Sequence, residues 1–267
     1  MLGNELIWVR GAGELGSGVA HLLHRVGFHV FMSEISPPLA IRRPVTFSDA
    51  ILESETEVEG IQAKFSTELP QSSDREWNYI PVLADLPPQL LRFQPSVIVD
   101  ARMLKHYTED FRDWADLVIG LGPGFDTRVN CHRVIETMRG HDLGRIISDG
   151  APLKDTGIPG NLGGKTSERL IRAGTAGNVT WQVNFGDMLI QGQPLGNINN
   201  SETVIAPLDG MIRGMISPHT PVTPGLKIGD VDPRGGDVKF MQISEKARVI
   251  ASGVFEAIVL HNKDQRL

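Results

Sequence analysis

Leu6-Ile7-Trp8-Val9-Arg10-Gly11-Ala12-Gly13-Glu14-Leu15-Gly16-Ser17-Gly18 decides how the N-terminal half of this chain is read. The run Leu6 to Val9 is short and continuously apolar, the pattern of a strand buried on both faces. It passes straight into a G-x-G-x-x-G series at Gly11, Gly13 and Gly16. Leu15, Val19, Leu22, Leu23 and Val26 then recur at helical spacing, and Gly27 stops the helix. Phe28-His29-Val30-Phe31-Met32 reads as a second strand ending at Glu34, which gives one strand-helix-strand unit with a carboxylate about 20 residues beyond the glycines.

Such a unit has a physical use. Gly11 permits the tight turn, Gly13 lets backbone approach a diphosphate, Gly16 lets helix and strand pack closely, and the helix N-terminus attracts negative charge. Glu34 is placed to accept from a ribose hydroxyl, and Ser17 joins the glycines as a cofactor-binding candidate. Arg42-Arg43 either meets a 2'-phosphate or forms a solvated basic face, so NAD and NADP both stay open. Ile80-Pro81-Val82-Leu83, Ser96-Val97-Ile98-Val99-Asp100 and Leu117-Val118-Ile119-Gly120-Leu121 are further apolar runs between helix-like or loop stretches, as in a Rossmann-like parallel sheet. Val58 to Phe65 alternates around Gly60 and reads as a hairpin inserted after the second strand, and Gln71-Ser72-Ser73-Asp74 reads as a loop.

With 267 residues, 40% of them hydrophobic, the chain can bury a sizeable core in one large domain or two modest ones. Lys and Arg total 26 against 32 Asp and Glu, so the net charge of -6 gives no electrostatic reason to bind nucleic acid or an anionic membrane. A nucleotide-containing small molecule fits better. Cys131, the single cysteine, excludes an intramolecular disulfide framework and favours a reducing compartment. The N-terminus lacks a basic n-region, and its apolar run stops at Arg10, far short of a signal core or a span. A cytoplasmic location without membrane association is expected.

Two of the strands end in useful chemistry, Asp100-Ala101-Arg102 and Gly120-Leu121-Gly122-Pro123-Gly124-Phe125. Ligands bind at strand carboxyl ends in open α/β sheets, which makes Gly122 and Gly124 cofactor-binding candidates through backbone donors. Cys131-His132-Arg133-Val134-Ile135-Glu136-Thr137-Met138-Arg139-Gly140-His141 then gathers a thiol, two imidazoles, a carboxylate and two guanidiniums. Read as one straight strand, it sets Cys131, Arg133, Ile135, Thr137 and Arg139 on one face, with His132, Val134, Glu136 and Met138 on the other. Cys131 and His132 then point apart, which leaves Cys131 either a catalytic thiol served by His141 or another base, or a buried inert cysteine. Arg139 and His141 suit an anionic ligand. Glu136 and His132 lack a visible third ligand, so no metal site is expected. Thr156-Gly157-Ile158-Pro159-Gly160-Asn161-Leu162-Gly163-Gly164-Lys165 lacks Walker A spacing and reads as a linker.

The C-terminal third repeats itself. A shift of about 33 positions pairs Ala173 with Ala206, Gly177 with Gly210, Val179 with Ile212, Val183 with Ile216, Gly192 with Gly225 and Leu195 with Ile228. Two half-units of short strands that cannot each bury a core should pack together as a pseudo-symmetric all-β sandwich, with Ile212, Met215 and Ile216 inside. From about Leu170 to Asp230 the segment resembles the biotinyl and lipoyl carrier domains, which attach their cofactor to a Lys in the hairpin joining the halves. Here that hairpin is Asn197-Ile198-Asn199-Asn200-Ser201-Glu202-Thr203, and no Lys occurs between Lys165 and Lys227, so neither biotin nor lipoate is carried. Ile228 to Gly235 reads as a polar loop in which Asp230, Asp232 and Arg234 either reach a ligand or pair in a solvated turn. Ser244 is the N-cap of a final helix with Val249, Ile250, Val254 and Ile258 on one face. The expected organisation is α/β: a Rossmann-like domain over 1–168, a biotinyl/lipoyl-like barrel-sandwich module without its carrier lysine over 169–235, and a C-terminal strand and helix over 236–267 packing back on the body.

Over essentially its whole length the chain resembles the accessory-protein family of the selenium-dependent molybdenum hydroxylase system. The match is carried by Val9-Arg10-Gly11-Ala12-Gly13 with Ser17-Gly18, Gly120 to Phe125, Glu136-Thr137 with Arg139-Gly140-His141 and Leu143-Gly144-Arg145, Thr156 to Gly160, and Lys227 to Arg234. The resemblance implies a maturation factor for a molybdenum hydroxylase client enzyme, handling the molybdenum cofactor or its selenium or sulfur ligand. A dinucleotide form of that cofactor suits Gly11, Gly13, Gly16 and Glu34 as well as NAD(P) does, and Cys131 would serve as a sulfur or selenium carrier only as an accessible, low-pKa thiolate. An NAD(P)-dependent oxidoreductase remains the alternative, although neither Tyr79 nor Tyr107 has a Lys four residues on, and a non-catalytic docking scaffold is the third reading. Catalysis and homo-oligomerisation stay open.

Overall fold

The computed structural model describes residues 5–69, 78–85 and 94–265, and the loop expected at Gln71 to Asp74 lies outside them. The chain forms two compact units, one of Met1–Ser36, Thr46–Thr156 and Ile243–Leu267, the other of Pro37–Val45 and Gly157–Gln242. The last segment joins the first unit, because buried Ala247, Ile250, Val254 and Ile258 share a core with buried Ile7 and Val9.

The first unit is a mixed α/β body. Its strands, numbered in chain order, are β1 (Leu6–Arg10), β2 (His29–Glu34), β3 (Glu55–Val58), β4 (Ile61–Phe65), β5 (Ile80–Ala84), β6 (Val97–Asp100), β7 (Leu117–Leu121), β8 (Arg133–Ile135) and β9 (Ile146–Ile147). Among the described residues they form one sheet in the order β3-β4-β5-β2-β1-β6-β7-β8-β9. All neighbours from β4 to β8 run parallel, and β3 and β9 pair antiparallel at the two edges. From β1 the chain builds outward through β2 and β5, then returns to β1's other side and builds outward through β6, β7 and β8. The carboxyl ends of β1 and β6 therefore border the point where connections diverge, the place where open parallel sheets leave a crevice.

Strand alternation divides the core. Ile7, Val9, Val30, Met32 and Val99 face one layer, in which α1 (Glu14–Arg25) and α3 (Glu245–Asp264) pack. A shorter helix, α2 (Ala50–Glu53), leads into the β3–β4 hairpin, whose turn takes Glu59 and Gly60 to φ 44° and 84°. Trp8, Phe31, Ile98 and Val118 point the other way, where Trp8 stacks on Phe31 with ring centroids 5.9 Å apart. Central strands apolar on both faces are what a parallel sheet covered on both sides requires. The α1–α3 contact is close because Gly18 has no side chain: a Cβ there would lie 2.9 Å from the Ala247 Cβ.

The second unit is all β: β10 (Leu170–Arg172), β11 (Val179–Trp181), β12 (Met188–Leu189), β13 (Pro194–Ile198), β14 (Glu202–Ile205), β15 (Gly210–Met215) and β16 (Lys227–Asp232). They make two antiparallel sheets, β10-β16-β15-β12 and β11-β13-β14. One core joins both, with Val179, Leu195 and Ile198 from one and Ile212, Ile228 and Val231 from the other. The sequence repeat is visible as an exchange of hydrogen bonds between copies: the Gly192 N–H donates to the Ala206 carbonyl (2.9 Å) and the equivalent Gly225 N–H to the Ala173 carbonyl (2.7 Å). Both glycines sit at φ +83°, and the order β11-β13-β14 is matched by β15-β16-β10.

Two local expectations are corrected. The long strand from Cys131 to Arg139 is only β8, because Glu136 turns the chain by accepting from the Met138 N–H (2.7 Å) and the Leu153 N–H (2.8 Å) through its two carboxylate oxygens. The polar loop read from Ile228 onward is mostly strand β16, and Asp230 and Asp232 are fully buried in it. Asp230 accepts from Arg169 and from Arg213 (2.6 Å), and Asp232 from Arg213 (2.9 Å) and Arg234 (2.7 Å), an ion-pair network where a solvated turn was expected.

Candidate functional site

The glycine turn lies between β1 and α1, at the carboxyl end of the central strand. Gly11 holds φ +96°, and a Cβ on it would meet the Ala101 carbonyl and the Arg102 nitrogen at 3.1 Å, so the turn presses against the end of β6. A Cβ on Gly16 would collide with the Gly11 carbonyl oxygen. Gly13, the N-cap of α1, is different: a Cβ there meets nothing within 4 Å, and its φ of -71° suits any L residue. Two glycines are thus demanded by packing, whereas the middle one leaves space open beside an uncapped helix N-terminus. The N-terminus of a helix favours an anion.

Glu34 stands at the end of β2, beside this turn. Its Oε2 accepts from the Ala12 N–H and its Oε1 from the Ile35 N–H, both at 2.8 Å. Burial raises its pKa above the ordinary carboxylate value, the two amides work against the rise, and the charge of Asp85 adds to it. Asp85 ends β5 at φ +46° and accepts from the Ser36 N–H (3.1 Å), so two carboxylates flank the turn. Ser17 is buried, and its hydroxyl donates to the Ala12 carbonyl (2.9 Å) while accepting from the Phe47 N–H (2.8 Å). It fixes the turn from within. On the other side Asp100 is buried and receives Arg10 (3.1 Å) and Arg102 (2.6 Å), and the Arg10 guanidinium lies over the rings of Phe111 and Trp8. Arg42 is also buried, donating to the Phe240 carbonyl (3.4 Å), which removes it from the exposed basic face considered from sequence.

The β7 end supplies a second glycine turn. Gly122 holds φ +84°, with the Thr137 hydroxyl and the Met103 methyl 3.1 Å from where its Cβ would be. Gly124 faces inward: a Cβ there would lie 2.6 Å from the Leu104 carbonyl oxygen, so its role is close backbone packing. Cys131 has no exposed surface and sits in the Trp8–Phe31 layer, where burial pushes its thiol up to about 12. That is the reverse of the accessible thiolate that sulfur or selenium transfer needs. His132, next to it, accepts from the Val118 N–H through Nδ1 (2.9 Å).

Arg139 and His141 are exposed on the segment beyond β8. The structure adds a residue that sequence reading passed over. Lys246, in the first turn of α3, is half-buried, and its pKa is lowered by burial first and by the charge of Arg139 second, with Glu14 and Glu136 opposing. Nothing in the sequence links Lys246 to Arg139; only the packing of α3 beside α1 and β8 does.

No protein-family model matches the chain, and no solved structure does. It is 41% identical over 260 residues to the protein described as "Uncharacterized protein YqeB" of Escherichia coli strain K12, a match covering 97% of this chain and 48% of that one. The chain thus spans about half the length of the curated relative to which it is similar.

Proposed function

We propose that the first unit is a Rossmann-type dinucleotide-binding module and that the chain is an accessory factor in molybdenum hydroxylase maturation, holding a nucleotide-containing cofactor at the Gly11–Gly16 turn. The observation that carries the nucleotide reading is the open space at Gly13, set at the N-terminus of α1 between two glycines that packing makes obligatory. Diphosphate oxygens approach the amides there, Glu34 and Asp85 flank the ribose end, and Gly122 with Thr137 borders the far end. The paired carboxylates favour a free 2'-hydroxyl and repel a 2'-phosphate, which puts NAD or a molybdenum-cofactor dinucleotide ahead of NADP. The second unit is a biotinyl/lipoyl-like barrel-sandwich whose linking hairpin carries Asn199 and Asn200 at φ 47° and 57° where a carrier would hold its lysine. It serves as a docking surface for the client enzyme.

Thermal shift with NAD, NADP, CTP and the mononucleotide and dinucleotide molybdenum cofactors tests this reading. Saturation at a hundredfold excess over Kd adds about 2.7 kcal/mol. Gly13→Ala fits the fold, so its melting temperature stays within about 1 °C of the parent while the ligand-induced shift disappears. Gly16→Ala instead destabilises by at least about 1–3 kcal/mol through overpacking. A panel that shifts nothing overturns the nucleotide reading, and a shift with NAD alone turns it toward an oxidoreductase.

A further inference from the structure

Ala12, at the centre of the glycine turn, is held through both its N–H and its carbonyl by the stretch of chain that follows β2. The N–H donates to Glu34 Oε2, and Glu34 Oε1 accepts from the Ile35 N–H, both at 2.8 Å. The carbonyl accepts from the Ser17 hydroxyl (2.9 Å) and from the Ser48 N–H (3.2 Å), and the same hydroxyl accepts from the Phe47 N–H (2.8 Å). Ser17, Phe47 and Ser48 are fully buried. Asp85 adds a tie by accepting from the Ser36 N–H (3.1 Å). The chain leaves the first unit after Ser36 and returns at Thr46, so it is fastened beside the turn on both passages.

The residues between, Pro37–Val45, belong to the second unit and are fastened there by its own residues. The Thr220 hydroxyl donates to the Pro38 carbonyl (3.0 Å), the Met215 N–H of β15 to the Ile41 carbonyl (2.8 Å), and Arg42 to the Phe240 carbonyl (3.4 Å). Thr220 is fully buried, and Ile41 lies in the core of the second unit, so close to β15 that a Cβ on Gly214 would lie 2.9 Å from the Ile41 Cδ1. Pro37, Pro38 and Pro44 restrict the backbone of this stretch. A short, proline-stiffened segment pinned at both sides has little slack, so a change at the turn reaches its anchors.

We infer that residues 35–48 form a strap through which occupancy of the glycine turn is conveyed to Met215 and Thr220 of the second unit, a regulatory coupling of the nucleotide site that rests on the nucleotide reading. The peptide between Ala12 and Gly13 is planar and trans, so Ser17 and Ser48, by fixing the Ala12 carbonyl, also fix the direction of the Gly13 N–H. A diphosphate oxygen accepting from that N–H polarises the same peptide and strengthens the bonds its carbonyl receives. The occupied turn therefore tightens the strap, and by linkage a tight strap favours the ligand. Ser17 and Ser48 act through the peptide and are positioning residues.

Amide exchange of the full chain, resolved by residue, tests the strap from its far anchor. Thr220→Val keeps the shape of the side chain and removes its bond to the Pro38 carbonyl. Without ligand it speeds exchange at the Ala12, Phe47 and Ser48 amides roughly 3- to 10-fold, the size expected for one hydrogen bond, and leaves β6 unchanged. Unaltered exchange at those three amides overturns the inference, as does an equal acceleration across β6, which would mean a general loosening of the fold. NAD supplies the second arm. In the parent it slows exchange at the same three amides and at Met215, and in Ser17→Ala and Thr220→Val the response at Met215 disappears. NAD that protects the turn yet leaves Met215 unmoved in the parent overturns the coupling. Absence of NAD binding removes the nucleotide reading alone, because the ligand-free comparison still decides the strap.

Discussion

At Cys131 and Lys246 the chemistry of one side chain is set by what surrounds it. Cys131 is enclosed by the Trp8–Phe31 layer and its thiol is raised to about 12, so iodoacetamide at pH 8 leaves it unmodified in the native protein and labels it only after unfolding in denaturant. Rapid labelling without denaturant would restore the carrier role considered from sequence. Lys246 follows the opposite logic. Its folded pKa lies below the ordinary 10.5, so between the two values the unfolded chain binds more protons and stability rises with pH. Below the folded value the penalty is fully present. Lys246→Gln accordingly raises the melting temperature at pH 7, and the gain shrinks as pH approaches 10.5, with Arg139, Glu14 and Glu136 as the charges that set its size. A pH-independent difference would rule out this origin.

At the scale of elements, the glycine turn and the β-repeat were both readable because each is written locally. The strand, glycines and helix from Leu6 to Gly27 need only adjacent residues, and the repeat needs only comparison of the chain with itself. The ends of β8 and β16 were not readable. Glu136 stops β8 through an amide at Leu153, and buried Asp230 looks like a turn residue until Arg169 and Arg213 are brought to it. The burial of that network makes it costly to break: Asp230→Asn leaves the buried Arg169 guanidinium without its charge partner and Arg213 with Asp232 alone, and destabilises the second unit by about 3–5 kcal/mol in urea unfolding. A loss under about 1 kcal/mol would mean that water reaches the network.

The whole chain is threaded so that its last helix completes its first unit. Ile243, Ala247, Ile250, Val254 and Ile258 are buried in the core that also holds Ile7 and Val9. Each large aliphatic contributes about 1.5–3 kcal/mol by leaving water, and together they are comparable with the about 5–15 kcal/mol that stabilises a typical domain. A chain ended after Gln242 is therefore expected to lose amide-exchange protection throughout β1 and β6. Retained protection there would show that α3 is dispensable.

The sequence by itself determined the strand-glycine-helix unit with Glu34 at its end, the order of apolar strands that follows, the pseudo-symmetric β-repeat and its missing lysine. These depend on periodicity, glycine spacing and residue absence, which are properties of neighbouring positions. Only the tertiary structure decided that Gly13 is open while Gly11 and Gly16 are pinned, that Cys131 is sealed, that Ser17 and Gly124 serve packing, and that Lys246 is half-buried. The reason is physical: burial, desolvation and like-charge proximity arise from contacts between residues far apart in the chain, and no local pattern encodes the distance at which such residues finally meet.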